Sequence, residues 1–396
     1  MWLANKFGRV YYIGDKEEAE MLLKKPTIRR ATPDEIEVHE RTTQTKAIET
    51  AESAGKSIFY QTVRNSPDGY GMSRDLLKKE LFRQGVLLSE NMIGQKIGMI
   101  YNYPYPITQL HNDVRLIYTM FESDQIPEDW PELLNEADEV LVPSRWCKEV
   151  FAKRGVETTV VPLGYNDDAF SYIERDLPLR TGQPFTFIHY NSFNIRKGFI
   201  EVFNAFTEEF GPEENVKLIL KTTHEKPPIP VIPSQYPNVE VISGTLPESG
   251  LYDLLKRAHC MVYPSRGEGF GITPLEAMAT GLPAIVPNAH GISEYFDKDY
   301  MLEVKVEELT PALYNKFKDQ DVGSMVLCDT DDLRKQMRYA FNHQQEMHNL
   351  GEKASEYVKQ FTYKETAKKL KEVFARWEKM NVPRRADAEY LEAEEV

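Results

Sequence analysis

Three cysteines, Cys147, Cys260 and Cys328, are spread over 396 residues. Their odd number and wide spacing suggest neither a disulfide framework nor a cysteine-built zinc site. Each lies among apolar residues, where a buried free thiol is the expected role. Long hydrophobic runs are missing too: nothing approaches the roughly 20 apolar residues of a membrane span. The first residues, Met1-Trp2-Leu3-Ala4-Asn5-Lys6, contain no apolar stretch of signal-peptide length. A cytoplasmic protein is the expectation. Positive charge is in short supply, with 48 Lys and Arg against 62 Asp and Glu and a net charge of −14. That balance weighs against broad binding to a polyanion, which needs many contacts from Lys or Arg to phosphate. It leaves room for a local basic cleft. Internal repeats and low-complexity tracts are absent, and residues 386–396 read as a frayed acidic tail.

What is present is a globular composition, 41% hydrophobic and 28% charged, on a chain long enough for two domains. Residues 1–50 are charged and weakly periodic. They offer a strand candidate at Val10–Ile13, a helix candidate at Lys16–Lys24, and no stated role. From Lys56 strands and helices alternate. Ser57–Val63 reads as a strand, followed by a loop with Pro67, Gly69 and Gly71 and a helix capped by Ser73 that closes at Gly85. Val86–Leu88, Ile97–Ile100, Arg115–Tyr118 and Glu139–Val142 read as strands, and Ser144 as the cap of a helix to Arg154. A polar stretch from Asp176 to Pro184 separates a second half. There Phe185–Tyr190, Val216–Leu220, Val239–Ile242, Cys260–Tyr263 and Ala284–Val286 alternate with helices over Gly198–Phe210 and Ser249–Ala258. Such alternation predicts parallel βαβ units. The chain is expected to divide into a first α/β domain at 51–175, a second at 176–345, and C-terminal helices at 346–396 that pack back on the first.

The stretch PSRGEGFGITPLEAMATGLPAIVPN, residues 264–288, carries the chemistry. Thr273-Pro274-Leu275-Glu276 spells a capping box, in which the Thr hydroxyl accepts from the third helical N–H and the Glu reaches back. Proline suits the first helical position and Gly281 the end. Capping alone explains Glu276. It does not explain Glu268 or the glycines around it. A loop with Gly267, Gly269 and Gly271 that follows a strand and opens onto a helix N-terminus is suited to a phosphate-bearing ligand. Such glycine patterns specify function loosely.

From about Lys56 to Trp377 the sequence resembles retaining glycosyltransferases of the GT-B fold, the group 1 or family 4 type. The resemblance rests on Glu268 and Glu276 with seven residues between them, inside Glu-Gly-Phe-Gly-x-x-x-x-Glu-Ala-Met-Ala-x-Gly-x-Pro. Gly69-Tyr70-Gly71, the run from VPSRWCKEVFAKRGV to VPLGYNDDAF, and Arg196-Lys197-Gly198 stand in the matching order. It implies two Rossmann-like α/β domains facing a cleft, the first for the acceptor and the second for the donor. It implies an enzyme that moves a sugar from a nucleotide diphosphate, a UDP- or GDP-sugar, to an acceptor hydroxyl with retention. No metal and no cofactor are expected, so cationic side chains and helix N-termini must stabilise the leaving diphosphate.

By that resemblance Arg196 and Lys197 face the diphosphate, Glu268 contacts the donor sugar near the reacting centre, and Glu276 binds the ribose hydroxyls. Gly269, Phe270, Gly271, Ile272, Thr273, Asn191 and Gly71 line the donor. Two departures stand out. Asn191 occupies the position, six before the lysine, where many members carry arginine. The strand ending in IYTMFESD offers Phe121 and Glu122 where many members carry an acceptor-side histidine. Glu122 and Asp124 are therefore candidates for the acceptor, and His111 is a third. Rival readings are a nucleotide-sugar epimerase or sugar-phosphate synthase, a binding scaffold without turnover, and a phage-type enzyme glycosylating modified DNA bases. The last would use a basic helix face at Arg74, Lys78, Lys79 and Arg83. The acceptor and the oligomeric state are left undefined by the sequence.

Overall fold

A computed structural model describes residues 2–5, 10–12, 20, 22–25, 28–32, 58–62, 69–92, 94–225, 235–317 and 319–385. The Pro67 loop, the acidic tail and most of the Lys16–Lys24 helix candidate lie outside them. Near the N-terminus, β1 (Trp2–Asn5), β2 (Val10–Tyr12) and β3 (Ile28–Arg30) form a small antiparallel sheet in the order β2-β1-β3.

The first domain is built on β4 (Ile58–Thr62), helix α1 (Gly69–Arg83), β5 (Leu88–Ser89), β6 (Ile97–Tyr101) and β7 (Val114–Tyr118). It continues through α2 (Trp130–Leu134), β8 (Glu139–Val142), α3 (Arg145–Ala152) and β9 (Thr159–Val160). Its six strands pair in parallel in the order β5-β4-β6-β7-β8-β9. Every residue of β6 and β7 is buried. Strands covered on both faces need continuous apolar runs, which is how their sequences read.

The second domain follows with β10 (Phe185–Asn191), α4 (Phe199–Glu209), β11 (Val216–Thr222), β12 (Val239–Ile242), α5 (Glu248–Leu255), β13 (Cys260–Val262), α6 (Ile272–Ala279), β14 (Ala284–Val286) and β15 (Leu302–Glu303). Its sheet is also six-stranded and parallel, ordered β12-β11-β10-β13-β14-β15. The order reverses beside β10 and β13, which makes their carboxyl ends the natural ligand crevice.

A hairpin then forms from β16 (Val306–Pro311) and β17 (Ser324–Cys328). Sequence periodicity does not announce it, and its loop leaves its own domain. Phe317 and Val322 insert among Phe121, Trp130 and Phe151 of the first domain. Helices α7 (Thr330–Asn342) and α8 (Gln344–Tyr357) lie on the second domain. Helix α9 (Tyr363–Lys379) returns to the first, against α1 and β6. There Lys96 Nζ donates to the carbonyls of Trp377, Glu378 and Met380 at 2.9, 3.0 and 2.7 Å, a cation at a helix C-terminus where the dipole favours it.

Three sequence expectations need correction. Helix α1 starts at Gly69, so Ser73 lies inside it and does not cap it. Its hydroxyl accepts a 2.6 Å bond from Tyr363 of α9, a partner 290 residues away that no local pattern reveals. Helix α6 starts at Ile272 on Gly271, whose φ of 88° is a left-handed value that glycine adopts freely. No side chain caps it, so the Thr273–Glu276 capping box does not form. Finally, His111 precedes β7, at the end of the sheet opposite Glu122, and its N–H points to Met92 Sδ at 3.4 Å. The strand between them is five residues long, roughly 17 Å. The three thiols are buried and free.

Candidate functional site

The site forms where the carboxyl ends of β10 and β13 meet the loop before α6. Arg196 and Lys197 lie in a single 3-10 turn after β10, ended by Gly198 at φ 76°. A Cβ on Gly198 would stand 2.5 Å from the Pro264 carbonyl, so glycine lets this turn lie against the β13 loop. Arg266 N–H donates to the Arg196 carbonyl at 2.7 Å and joins the two segments.

Glu268 is the centre of the cluster and is buried. Its carboxylate accepts from Lys197 Nζ at 2.8 and 3.0 Å and from Arg196 at 3.1 Å. Ser265 Oγ at 2.7 Å and Tyr263 OH at 2.8 Å also donate to it. Burial alone would raise this carboxyl, but the charges of Lys197 and Arg196 hold it well below the usual carboxylate range. Lys197 is pulled down, first by burial and then by Arg196. Burial works against the Arg196 charge, yet Glu268 and Glu122 keep it firmly cationic.

Asn191 extends the network. Its amide donates to Tyr263 OH at 3.0 Å and to Thr273 Oγ1 at 3.2 Å. The chain Thr273–Asn191–Tyr263–Glu268 therefore links the first turn of α6 to the central carboxylate. An amide serves here as a neutral connector where an arginine would have added charge.

Glu276 stands apart from this cluster. Its carboxyl lies 3.1 Å from Tyr190 OH, whose single proton is shared between it and the Thr273 carbonyl at 3.0 Å. Burial pushes the Glu276 carboxyl up to about 8, against the Tyr190 hydrogen bond and with a small push from Glu248. The side chain keeps partial exposure.

The glycine loop is also the contact between domains. A Cβ on Gly267 would sit 2.1 Å from the Glu122 carbonyl, and one on Gly269 would meet the Met120 side chain at 2.8 Å. Ser144 Oγ accepts the Cys147 N–H at 3.1 Å, capping α3, and donates to the Gly269 carbonyl at 2.8 Å. Phe270 is buried against Tyr295 and Phe361, so its ring is part of the core. Beneath the loop, His290 holds a strained φ of 42° and bonds the Ser265 carbonyl at 2.9 Å. Burial brings that imidazole down to about 4, so it is neutral.

The acceptor candidates separate. Glu122 reaches the cluster from the first domain, 3.6 Å from Arg196, and accepts from Tyr314 OH at 3.3 Å. Asp124 is turned the other way, its carboxylate accepting the Ser324 N–H of the hairpin at 2.6 Å. Gly71 is buried in the first turn of α1. Ile272 and Thr273, both half-buried, form the start of α6. Sequence reasoning missed Ser265, Tyr263, Tyr190 and Tyr314. The first three end strands or begin loops next to motif residues, a usable signal. Tyr314 has none, since it meets Glu122 across 192 positions.

The basic face of α1 is already neutralised. Lys79 and Arg83 both contact Asp168, at 2.9 and 2.7 Å, while Arg74 pairs with Asp75 and Lys78 with Glu90. Among the described residues no group of three or more His, Cys, Asp or Glu side chains stands arranged to hold a metal, and no helix is long and apolar enough to cross a membrane.

Comparison with known proteins adds three findings. Residues 175–308 match the family model of glycosyl transferases group 1. A protein of Acidianus filamentous virus 1, named "Putative glycosyltransferase ORF313", is 29% identical over 264 residues, 64% of this chain and 77% of its own length. Among solved structures, Anabaena HepE in complex with UDP-glucose superposes with a TM-score of 0.59 at 12% identity, covering 81% of this chain and 99% of HepE. Sucrose-phosphate synthase from Thermosynechococcus elongatus gives 0.54 at 16% identity, over 87% and 94%. At such identities the likeness establishes the fold, which is GT-B.

Proposed function

We infer that this GT-B protein is a group 1 glycosyltransferase, and we propose that it moves a sugar from a nucleotide diphosphate sugar to an acceptor hydroxyl with retention at the anomeric carbon. The observation that carries the reading is the ion-paired cluster of Lys197, Arg196 and Glu268, set at the carboxyl ends of β10 and β13 beside the uncapped start of α6. Two cations, Lys197 buried and Arg196 half-buried, and an uncapped helix N-terminus are what a leaving diphosphate requires if no metal supplies the charge.

In this reading Arg196 and Lys197 bind the diphosphate, with the N–H groups of Gly271, Ile272 and Thr273 beside them. Glu276 accepts from the ribose hydroxyls, and Tyr190 orients it. Glu268 holds the cations in place and faces the donor sugar. It is a poor nucleophile, because four donors occupy its oxygens and its low proton affinity weakens it as a base. That supports a same-face reaction in which the leaving phosphate oxygen, not a protein carboxylate, takes the acceptor proton. The first domain supplies the acceptor side through Glu122.

On α1 the four basic side chains each pair with a carboxylate, which weighs against a DNA acceptor. An epimerase or sugar-phosphate synthase keeps the same donor site and differs in what accepts the sugar. The test is a panel of UDP- and GDP-sugars with product analysis by NMR. Hydrolysis or transfer releasing the α or β anomer of the donor itself supports retention, and the opposite anomer sinks it. Activity that survives a chelator supports metal-free chemistry, while its loss removes that part.

A further inference from the structure

Arg196 and Lys197 bring two positive charges into the cleft, and Glu268 and Glu122 bring two negative ones. The cluster is neutral as it stands, so its pull on a diphosphate is weak. Both cations can serve a diphosphate fully only if one carboxylate gives way.

The two carboxylates are held unequally. Glu268 is fixed by five short bonds from four side chains of its own domain. Glu122 belongs to the other domain. It lies 3.6 Å from Arg196, beyond hydrogen-bond length, and receives one 3.3 Å bond from Tyr314. Its backbone is pinned, since its carbonyl faces Gly267 where no side chain fits. The Glu122 side chain is therefore the part free to move, and Tyr314 is the group beside which it moves.

We propose that Glu122 occupies Arg196 until a nucleoside diphosphate arrives, then leaves it and accepts a hydrogen bond from the acceptor hydroxyl. This rests on the reading of the cleft as a donor site. It makes binding ordered: the acceptor's partner becomes available only once the diphosphate has taken Arg196. It also gives the hairpin a function. By carrying Tyr314 from the second domain onto the first, the β16–β17 excursion holds the carboxylate within reach of both positions.

The test is nucleotide affinity of the full chain, measured by calorimetry with UDP, GDP and inorganic pyrophosphate, for the parent, Glu122→Gln and Glu122→Ala. Removing the competing carboxylate should tighten whichever nucleoside diphosphate the parent prefers, and pyrophosphate with it, by roughly three- to tenfold. Transfer to an acceptor should slow in both variants. A residue with a merely structural role would leave affinity unchanged or weaken it. Affinity equal to or below the parent's in the Gln variant, with an unchanged melting temperature, overturns the inference and leaves the donor site intact. A parent that binds none of the three probes overturns the donor-site reading and this inference together.

Discussion

Glu268 and Glu276 are eight positions apart in one motif, and their surroundings drive them in opposite directions. Glu268 sits among two cations and two hydroxyls, and its carboxyl is held well below its ordinary 4.5. Glu276, one helical turn inside α6, has a single tyrosine hydroxyl for company, and burial takes it up to about 8. Residue type is the same and spacing is fixed; the difference is the presence or absence of a cation. One carboxylate is committed to charge neutralisation, and the other keeps its proton to a higher pH.

The largest break in this comparison is removal of the cation that separates the two. Lys197→Ala should lower turnover by roughly 10²-fold or more, by removing stabilisation of the departing diphosphate. Steady-state rates of donor hydrolysis or transfer check it, and unchanged kinetics would take Lys197 out of the site. Next in size is Glu268→Gln. Neutralising it leaves the buried Lys197 and the half-buried Arg196 without their main counter-charge, a change that costs about 3–5 kcal/mol in buried pairs. Its melting temperature should fall, and a nucleoside diphosphate should restore part of the loss by binding the folded state. A melting temperature equal to the parent's would show that the cluster is more hydrated than its burial implies.

The pH dependence sharpens the contrast. For Glu268 the folded value is depressed, so its stabilisation is present above the ordinary 4.5 and is lost as pH falls toward the folded value. For Glu276 the folded value is raised, so its stabilisation is full below 4.5 and is lost as pH rises through about 8. Glu276→Gln imitates the neutral acid. It should melt with the parent near pH 4 and progressively above it as pH rises through about 8. Because ribose hydroxyls donate best to an ionised carboxylate, parental donor affinity should climb between pH 6 and 9, and the Gln variant should show a flatter profile. A parent whose affinity does not climb would assign Glu276 a structural role alone. The smallest effect is expected at the domain contact. Ser144→Ala removes a helix cap and the bond to the Gly269 carbonyl, worth about 0.5–2 kcal/mol for the cap. Melting should drop by a few degrees while the affinity of the donor pair for nucleotide holds.

Much of the frame was legible beforehand. The parallel strands announce themselves as continuous apolar runs, and β8, β12 and β14 occupy the residues that pattern selects. The Ser144 cap is visible because the residue precedes a helix and its partner is three positions on. The Thr273 cap was misread by the same logic: the sequence fits a capping box, but Gly271 takes the left-handed turn two residues earlier and starts the helix there. Local chemistry offered both starts, and packing of the loop against Ile292, Tyr295 and the first domain chose one.

The sequence by itself determined the strand–helix alternation, the pair of glutamates around a glycine loop and the basic pair before α4, because those depend on residue type and short spacing. Only the tertiary structure decided which charges meet. Glu122 and Tyr314 come to Arg196 and to each other across a domain boundary, Asp124 turns to the hairpin, and His111 stays at the far end of its strand. Charge interactions act through space and depend on burial, and neither separation nor burial can be read from positions along a chain.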